Sequence, residues 1–185
     1  MASVLPIDEL NIVNTRIIER FGQEKIPNTG DYEDVIDELL DLFLLAYARG
    51  NEVTNSNLSS NWKPSLDAVM ETVDKKIAGK TWRDRVREYF ETGDTSGDLI
   101  RIAETETHRI ANTAAIDAAR EGGATNKTWI TMLDEKVRDS HQYLEGETVG
   151  IDEDFYTYDG DHAPAPGLFD LAENNVNCRC ELLFS

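Results

Sequence analysis

The only cysteines of the chain, Cys178 and Cys180, are separated by a single arginine in the closing stretch "NVNCRCELLFS". Two soft sulfur donors that close together suggest three kinds of chemistry. With His141 or His162 brought in from upstream they could give a Cys2His or Cys2His2 zinc set, although structural zinc pairs are usually spaced C-x2-C or H-x3-H. Beside His141 or Arg179, one of them could be a nucleophilic thiolate, since a cysteine reacts when a base or a positive charge stabilises its ionised form. The plain alternative is that both pack as small apolar side chains. A disulfide is set aside, because bridging across one residue strains the required geometry.

Glu106 is the second candidate. In "RIAETETHRIANTAAIDAAREGGA" an advance of about 100° per residue puts Leu99, Ile102, Ala103, Ile110 and Thr113 in one stripe, with Glu106 near its centre. A carboxylate buried without a partner costs several kcal/mol, so it needs a cation. Arg109, one turn on, is the nearest, and a group from the C-terminal part of the chain is the other option. An exposed helix salt bridge is the plain alternative. A third cluster, Asp152, Glu153, Asp154, Asp159 and Asp161, lacks the order of an EF-hand loop and reads as a solvated acidic loop. No G-x-S-x-G, G-x-x-x-x-G-K-[ST], H-E-x-x-H or dinucleotide fingerprint is present.

The elements that must position these groups follow from periodicity. Leu10, Val13, Ile17 and Phe21 mark a first helix, ended by Gly22 and Pro27. "DYEDVIDELLDLFLLAYARGN" has acids in its first turn, an Arg in its last and Gly50 at its close, the signals of a second helix. "NEVTNSNLSSN" reads as a loop and as the boundary between residues 1–60, an N-terminal helical region, and residues 61–185. Beyond it, Leu66, Val69 or Met70, Val73 and Ile77 mark a third helix opening near Pro64. Thr81 caps a fourth, on which Trp82, Val86, Tyr89 and Phe90 share a face. The helix carrying Glu106 runs from about Ser96 to Gly122 and Gly123, so the helices of this second part occupy residues 64–121.

The pattern then changes. "KTWITML" alternates like a strand, with Trp129, Thr131 and Leu133 on one face. "DEKVRDSHQYLEG" is a helical turn, "ETVGI" a second short strand, and residues 152–177 a long ordered loop pinned by Phe155, Tyr156 and Tyr158. "CRCELLF" is the last strand, with Cys178, Cys180 and Leu182 on one face and Arg179, Glu181 and Leu183 on the other. The expected fold is therefore α+β, a mostly helical N-terminal two-thirds followed by a small antiparallel sheet module over residues 127–185.

Charge restricts the partners. The formal net charge of -18 disfavours nucleic acid as a whole, because phosphate binding rests on Lys and Arg. Residues 61–126 hold 10 basic against 12 acidic residues, so local DNA contact would fall on Lys75, Lys76, Lys80, Arg83, Arg85 and Arg87; a solvated basic helix face is the alternative. No run is long enough to span a membrane, and "MASVLPIDELN" lacks the basic-then-apolar order of a secretory signal, so a soluble, cytosol-made protein is expected.

The ordered set of these features resembles the Mu-F-like minor head proteins, a head morphogenesis family of tailed phages. The family pattern R-x-x-x-T-E-x-x-R-x-x-N, K-x-W, D-x-x-x-R-x-x-H, a Gly, a Phe or Tyr, and C-R-C finds its counterparts here in Arg101, Thr105, Glu106, Arg109 and Asn112, then Lys127, Trp129, Asp134, Arg138, His141, Gly146, Phe155, Pro166, Cys178, Arg179 and Cys180. Val176 stands where a His often precedes the terminal N-C-R-C, which weakens the zinc reading. The resemblance implies a structural minor capsid protein of the virion head. It would be associated with the portal and other head proteins inside the procapsid, assembled in the host cytoplasm, and without a membrane partner. No residue is assigned a catalytic role. Glu106, Arg109, Asn112, Trp129, Arg138, His141, Cys178, Arg179 and Cys180 are expected to form a structural constellation, in which Arg138, His141 and Arg179 clasp the Glu106 and Arg109 helix to the sheet. The alternative is a metal- or cysteine-dependent hydrolase or toxin-like domain using His141, Cys178 and Cys180.

Overall fold

The computed structural model describes residues 4–21, 31–92 and 96–185 of the chain. The helices come first: α1 (Ile7–Phe21), α2 (Tyr32–Leu58), α3 (Leu66–Val73), α4 (Trp82–Thr92) and α5 (Ser96–Glu121). Then follow β1 (Asn126–Ile130), α6 (Asp139–Gln142), β2 (Thr148–Gly150), β3 (Phe155–Tyr156), β4 (His162–Ala163), α7 (Ala172–Asn175) and β5 (Glu181–Phe184). The architecture is the α+β arrangement that the patterning predicts. The proposed stop of α1 at Gly22 and Pro27 lies outside the described residues.

Local signals set several boundaries. Thr81 Oγ1 accepts from the Asp84 backbone N–H at 3.1 Å, while the Asp84 carboxylate accepts from the Thr81 N–H at 3.0 Å, a reciprocal cap that opens α4. Ser65 caps α3 by accepting from Ala68 N–H. That helix stops at Val73, earlier than the apolar spacing suggests. Ile77 instead pairs with Lys80 in a tight bridge, and Leu66 stays 71% exposed.

The stretch read as a loop after Gly50 is helical: α2 continues to Leu58. Tertiary contact overrides local propensity there. Val53, Thr54 and Asn55 are buried, and the Asn55 amide donates to Asn51 Oδ1 and to the Trp62 carbonyl. Gly50 is no terminator. A Cβ at this position would lie 2.2 Å from the Ala111 carbonyl oxygen, so the missing side chain is what lets α2 approach the α5 backbone. The helix ends instead at Ser59, in the left-handed region at φ 55°.

A single apolar cluster draws on all five long helices, including Ile17, Leu39, Phe43, Tyr47, Val73, Trp82, Leu99 and Ile110, and so takes residues from both sides of residue 60. Each fully buried side chain of this size stabilises by about 1.5–3 kcal/mol. Phe43 meets Trp82 edge-on at 5.0 Å.

The second cluster belongs to the C-terminal module. β1 is the centre of an antiparallel sheet ordered β2-β1-β5, with Trp129 opposite Leu182 and Thr128 opposite Thr148. Trp129, Leu144, Phe155, Phe169, Cys178, Cys180 and Leu182 pack under it against Ile116 of α5, so α5 serves both cores. The expected face of β1 is cut short: the strand ends at Ile130, and Leu133 is 78% exposed at φ 53°. The long loop holds a β3–β4 hairpin and the α7 turn, and of its three aromatic pins only Phe155 is buried. Tyr156 stacks on His162, and Tyr158 meets Tyr143 at the surface.

Candidate functional site

His141 sits on the single turn α6 and is buried beneath two aromatic rings, stacked on Phe169 at 5.4 Å and edge-on to Trp129 at 5.3 Å. The extended segment leading into β5 alternates its side chains, so Cys178 and Cys180 both turn inward while Arg179 turns out. The strand itself starts one residue later, at Glu181. Each sulfur lies 3.5 Å from His141 Nδ1, and the three donor atoms lie within 4.8 Å of one another. Both cysteines are free.

Neighbouring groups fix this geometry. The Arg138 guanidinium donates to the carbonyls of Glu173 and Val176, tying α6 to the segment that delivers the cysteines. Asn175 accepts from Phe169 N–H and donates to the Phe169 and Leu171 carbonyls, holding the ring that stacks on His141. Burial raises the Cys178 thiol pKa, but the hydrogen bond from Cys180 and the charges of Arg138 and Arg179 outweigh it and bring it below the ordinary value. The Cys180 thiol goes up, through that same hydrogen bond and through burial.

The helix-to-sheet contact differs from the expected clasp. Glu106 is buried, as its place in the stripe predicts, and accepts from Arg109 Nε at 2.7 Å. Its other partner is Arg85 of α4, not a group of the C-terminal module. Arg109 also donates to the carbonyls of Thr72 and Val73, closing the end of α3. Arg138, His141 and Arg179 are engaged elsewhere, Arg179 in a paired hydrogen bond to the Asp134 carboxylate at 2.7 and 2.9 Å. The reason is geometric: Glu106 faces α3 and α4, whereas the face of α5 that meets the sheet carries His108 and Asn112. His108 Nε2–H donates to the Cys180 carbonyl at 2.7 Å, and Asn112 donates to the same oxygen at 3.4 Å. Burial lowers the His108 pKa to about 4, so the ring is neutral at pH 7. Gly167 passes over α5 at φ +87°, where a Cβ would come within 3.0 Å of Arg109 Cα.

Sequence reasoning missed His108, although it lies one turn before Asn112 on the same helix. It also missed Arg85, read as part of a basic surface run. In that run Lys80, Arg83, Arg85 and Arg87 each pair with an acid. Asp161 was grouped with solvated acids but is buried, accepting from Asn174 Nδ2 at 2.7 Å and from the backbone N–H groups of His162, Asp170 and Leu171. Lys127 is fully buried, with Nζ lacking a hydrogen-bond partner among the described residues and 5.5 Å from the centre of the Phe155 ring.

The family model for Phage Mu protein F like protein matches residues 65–183, a segment that opens at the α3 cap and contains every group just described. The chain belongs to this family. Among curated relatives of this Mu F-like protein, the NAD(+)-arginine ADP-ribosyltransferase EFV of Enterococcus faecalis is 35% identical over 138 residues, covering 69% of the chain and 28% of the relative. The minor head protein GP7 of Bacillus phage SPP1 is 33% identical over 85 residues, covering 44% of the chain and 28% of the relative. The Mu F-like chain thus spans under a third of the length of each of these relatives. No solved structure matches.

Proposed function

We propose that this Mu F-like protein is a structural minor head protein of a tailed phage, acting in head morphogenesis through protein contacts. It associates with the portal inside the procapsid, is assembled in the host cytoplasm and stays in the virion head. The observation that supports a structural role is where the family-pattern residues fall. Glu106, Arg109, Asn112, Trp129, His141, Cys178 and Cys180 are all buried, and they hold α5, the sheet and the C-terminal segment together. The pattern maintains an architecture that a surface can be built on. A hydrolase using the cysteines needs an attackable thiolate, whereas Cys178 and Cys180 are 7% and 3% exposed. Among the described residues no helix is long and apolar enough to cross a membrane, and the net charge of -18 favours protein over DNA as the main partner.

Co-expression with the portal and scaffold proteins of the same phage tests this. The expected result is co-purification with the portal oligomer and retention in isolated procapsids. A chain absent from both fractions overturns the proposal.

A further inference from the structure

We propose that His141 Nδ1, Cys178 Sγ and Cys180 Sγ bind one zinc ion, with water as its fourth ligand. The spacing carries the argument. Zinc bonds of about 2.3 Å to sulfur and 2.0–2.1 Å to nitrogen, set at tetrahedral angles, require a nitrogen-to-sulfur edge of roughly 3.6 Å. Both sulfurs stand 3.5 Å from Nδ1, so two edges of a tetrahedral face already have the length zinc requires, and all three atoms lie within 4.8 Å of each other. The donors arrive from two separate parts of the fold. Arg138 ties those parts together, and the rings of Phe169 and Trp129 hold the imidazole with Nδ1 toward the sulfurs. Nε2 has no hydrogen-bond partner among the described residues, which leaves Nδ1 as the nitrogen engaged at this site.

All three ligands border one small cavity, whose rim includes Met132, Lys136 and Asn177, and this cavity is where the water ligand would sit. Charge agrees with the donor set. Zinc binding displaces one proton from each thiol to solvent, so Zn2+ and two thiolates form a neutral buried centre. Such a site joins α6 to the segment leading into the C-terminal strand, a link that the hydrogen bonds of thiols to imidazole would make far more weakly.

The test uses the full chain, purified under reducing conditions, stripped with chelator and reloaded with Zn2+ or Co2+ alone. The expected results are one zinc per chain by mass spectrometry of the metal, and a cobalt spectrum with thiolate charge-transfer bands and the intense visible bands of a tetrahedral ion. Cys178→Ser and Cys180→Ser should each lose stoichiometric binding, while Asp152→Asn in the acidic loop should keep it. Chelation should lower the melting temperature of the wild type. Wild-type protein that takes up no zinc overturns the proposal, as does a cobalt spectrum without thiolate bands. So does undiminished binding in the serine variants, with folding checked by circular dichroism. Where a serine variant does not fold, the wild-type cobalt spectrum decides.

Discussion

The helical body and the C-terminal module bury comparable aromatic anchors, Trp82 in one and Trp129 in the other, yet they are built on different terms. In the body, apolar faces of long helices meet, and a compact cluster of Arg85, Glu106 and Arg109 brings buried charge between them. In the module, short strands and single turns cannot satisfy their own backbone groups, so side chains do it for them. Asp161, Asn175 and Arg138 hold loop carbonyls and N–H groups in place, Asn174 braces the Asp161 carboxylate, and His141 and the cysteines fill the space beneath. A body made of helices can lose a surface residue cheaply. A module made of loops depends on each polar anchor.

The comparison breaks first at the buried ionic cluster of the body. Glu106→Ala leaves Arg109, 1% exposed, without its counter-charge, and should cost about 3–5 kcal/mol in urea unfolding. Unchanged stability would remove the cluster from any structural role. Gly50→Ala drives a methyl group into the Ala111 carbonyl and should cost about 3 kcal/mol, the upper end for overpacking, even though alanine is the better helix former. A gain in melting temperature would mean that α2 and α5 can separate freely.

In the module, Asp161→Ala strips the acceptor from the Asn174 amide and from three backbone N–H groups, and should cost about 2 kcal/mol. Hydrogen exchange should rise around residues 161–175 and not in α2. Equal loosening of both halves would erase the distinction. The smallest effect has the opposite sign. Burial lowers the Lys127 pKa to about 8 from 10.5. Between those values the unfolded chain holds the proton that the folded one has released, so this residue makes stability rise with pH across that window. Lys127→Met should stabilise at pH 7 and flatten the rise, read as the difference between the two proteins in unfolding free energy from pH 7 to pH 10.

Much of the body was legible because a period of 3.6 is written into Val13 and Ile17, into Trp82, Val86 and Phe90, and into the stripe around Glu106. The last turns of α2 were not, since Asn, Ser and Gly50 signal a loop locally and only contact with α5 reverses that signal. Arg85 was hidden for a similar reason: its partner is 21 residues away on another helix. In the module, alternation correctly turned both cysteines to one side. The burial of Asp161 left no periodic trace, because it depends on where residues 170 and 171 return in space. The helix-to-sheet contact was sought through charges, whereas the fold makes it with a neutral His108 and a backbone carbonyl.

The length of α5 has a consequence beyond position. Its 26 residues, about 39 Å of helix, give Leu99 and Ile110 to one core and Ile116 to the other. Neither core can come apart without exposing a wall of its neighbour. Global unfolding of the two regions should therefore be one cooperative step, which hydrogen exchange checks by finding the central amides of α5 opening only with the whole fold.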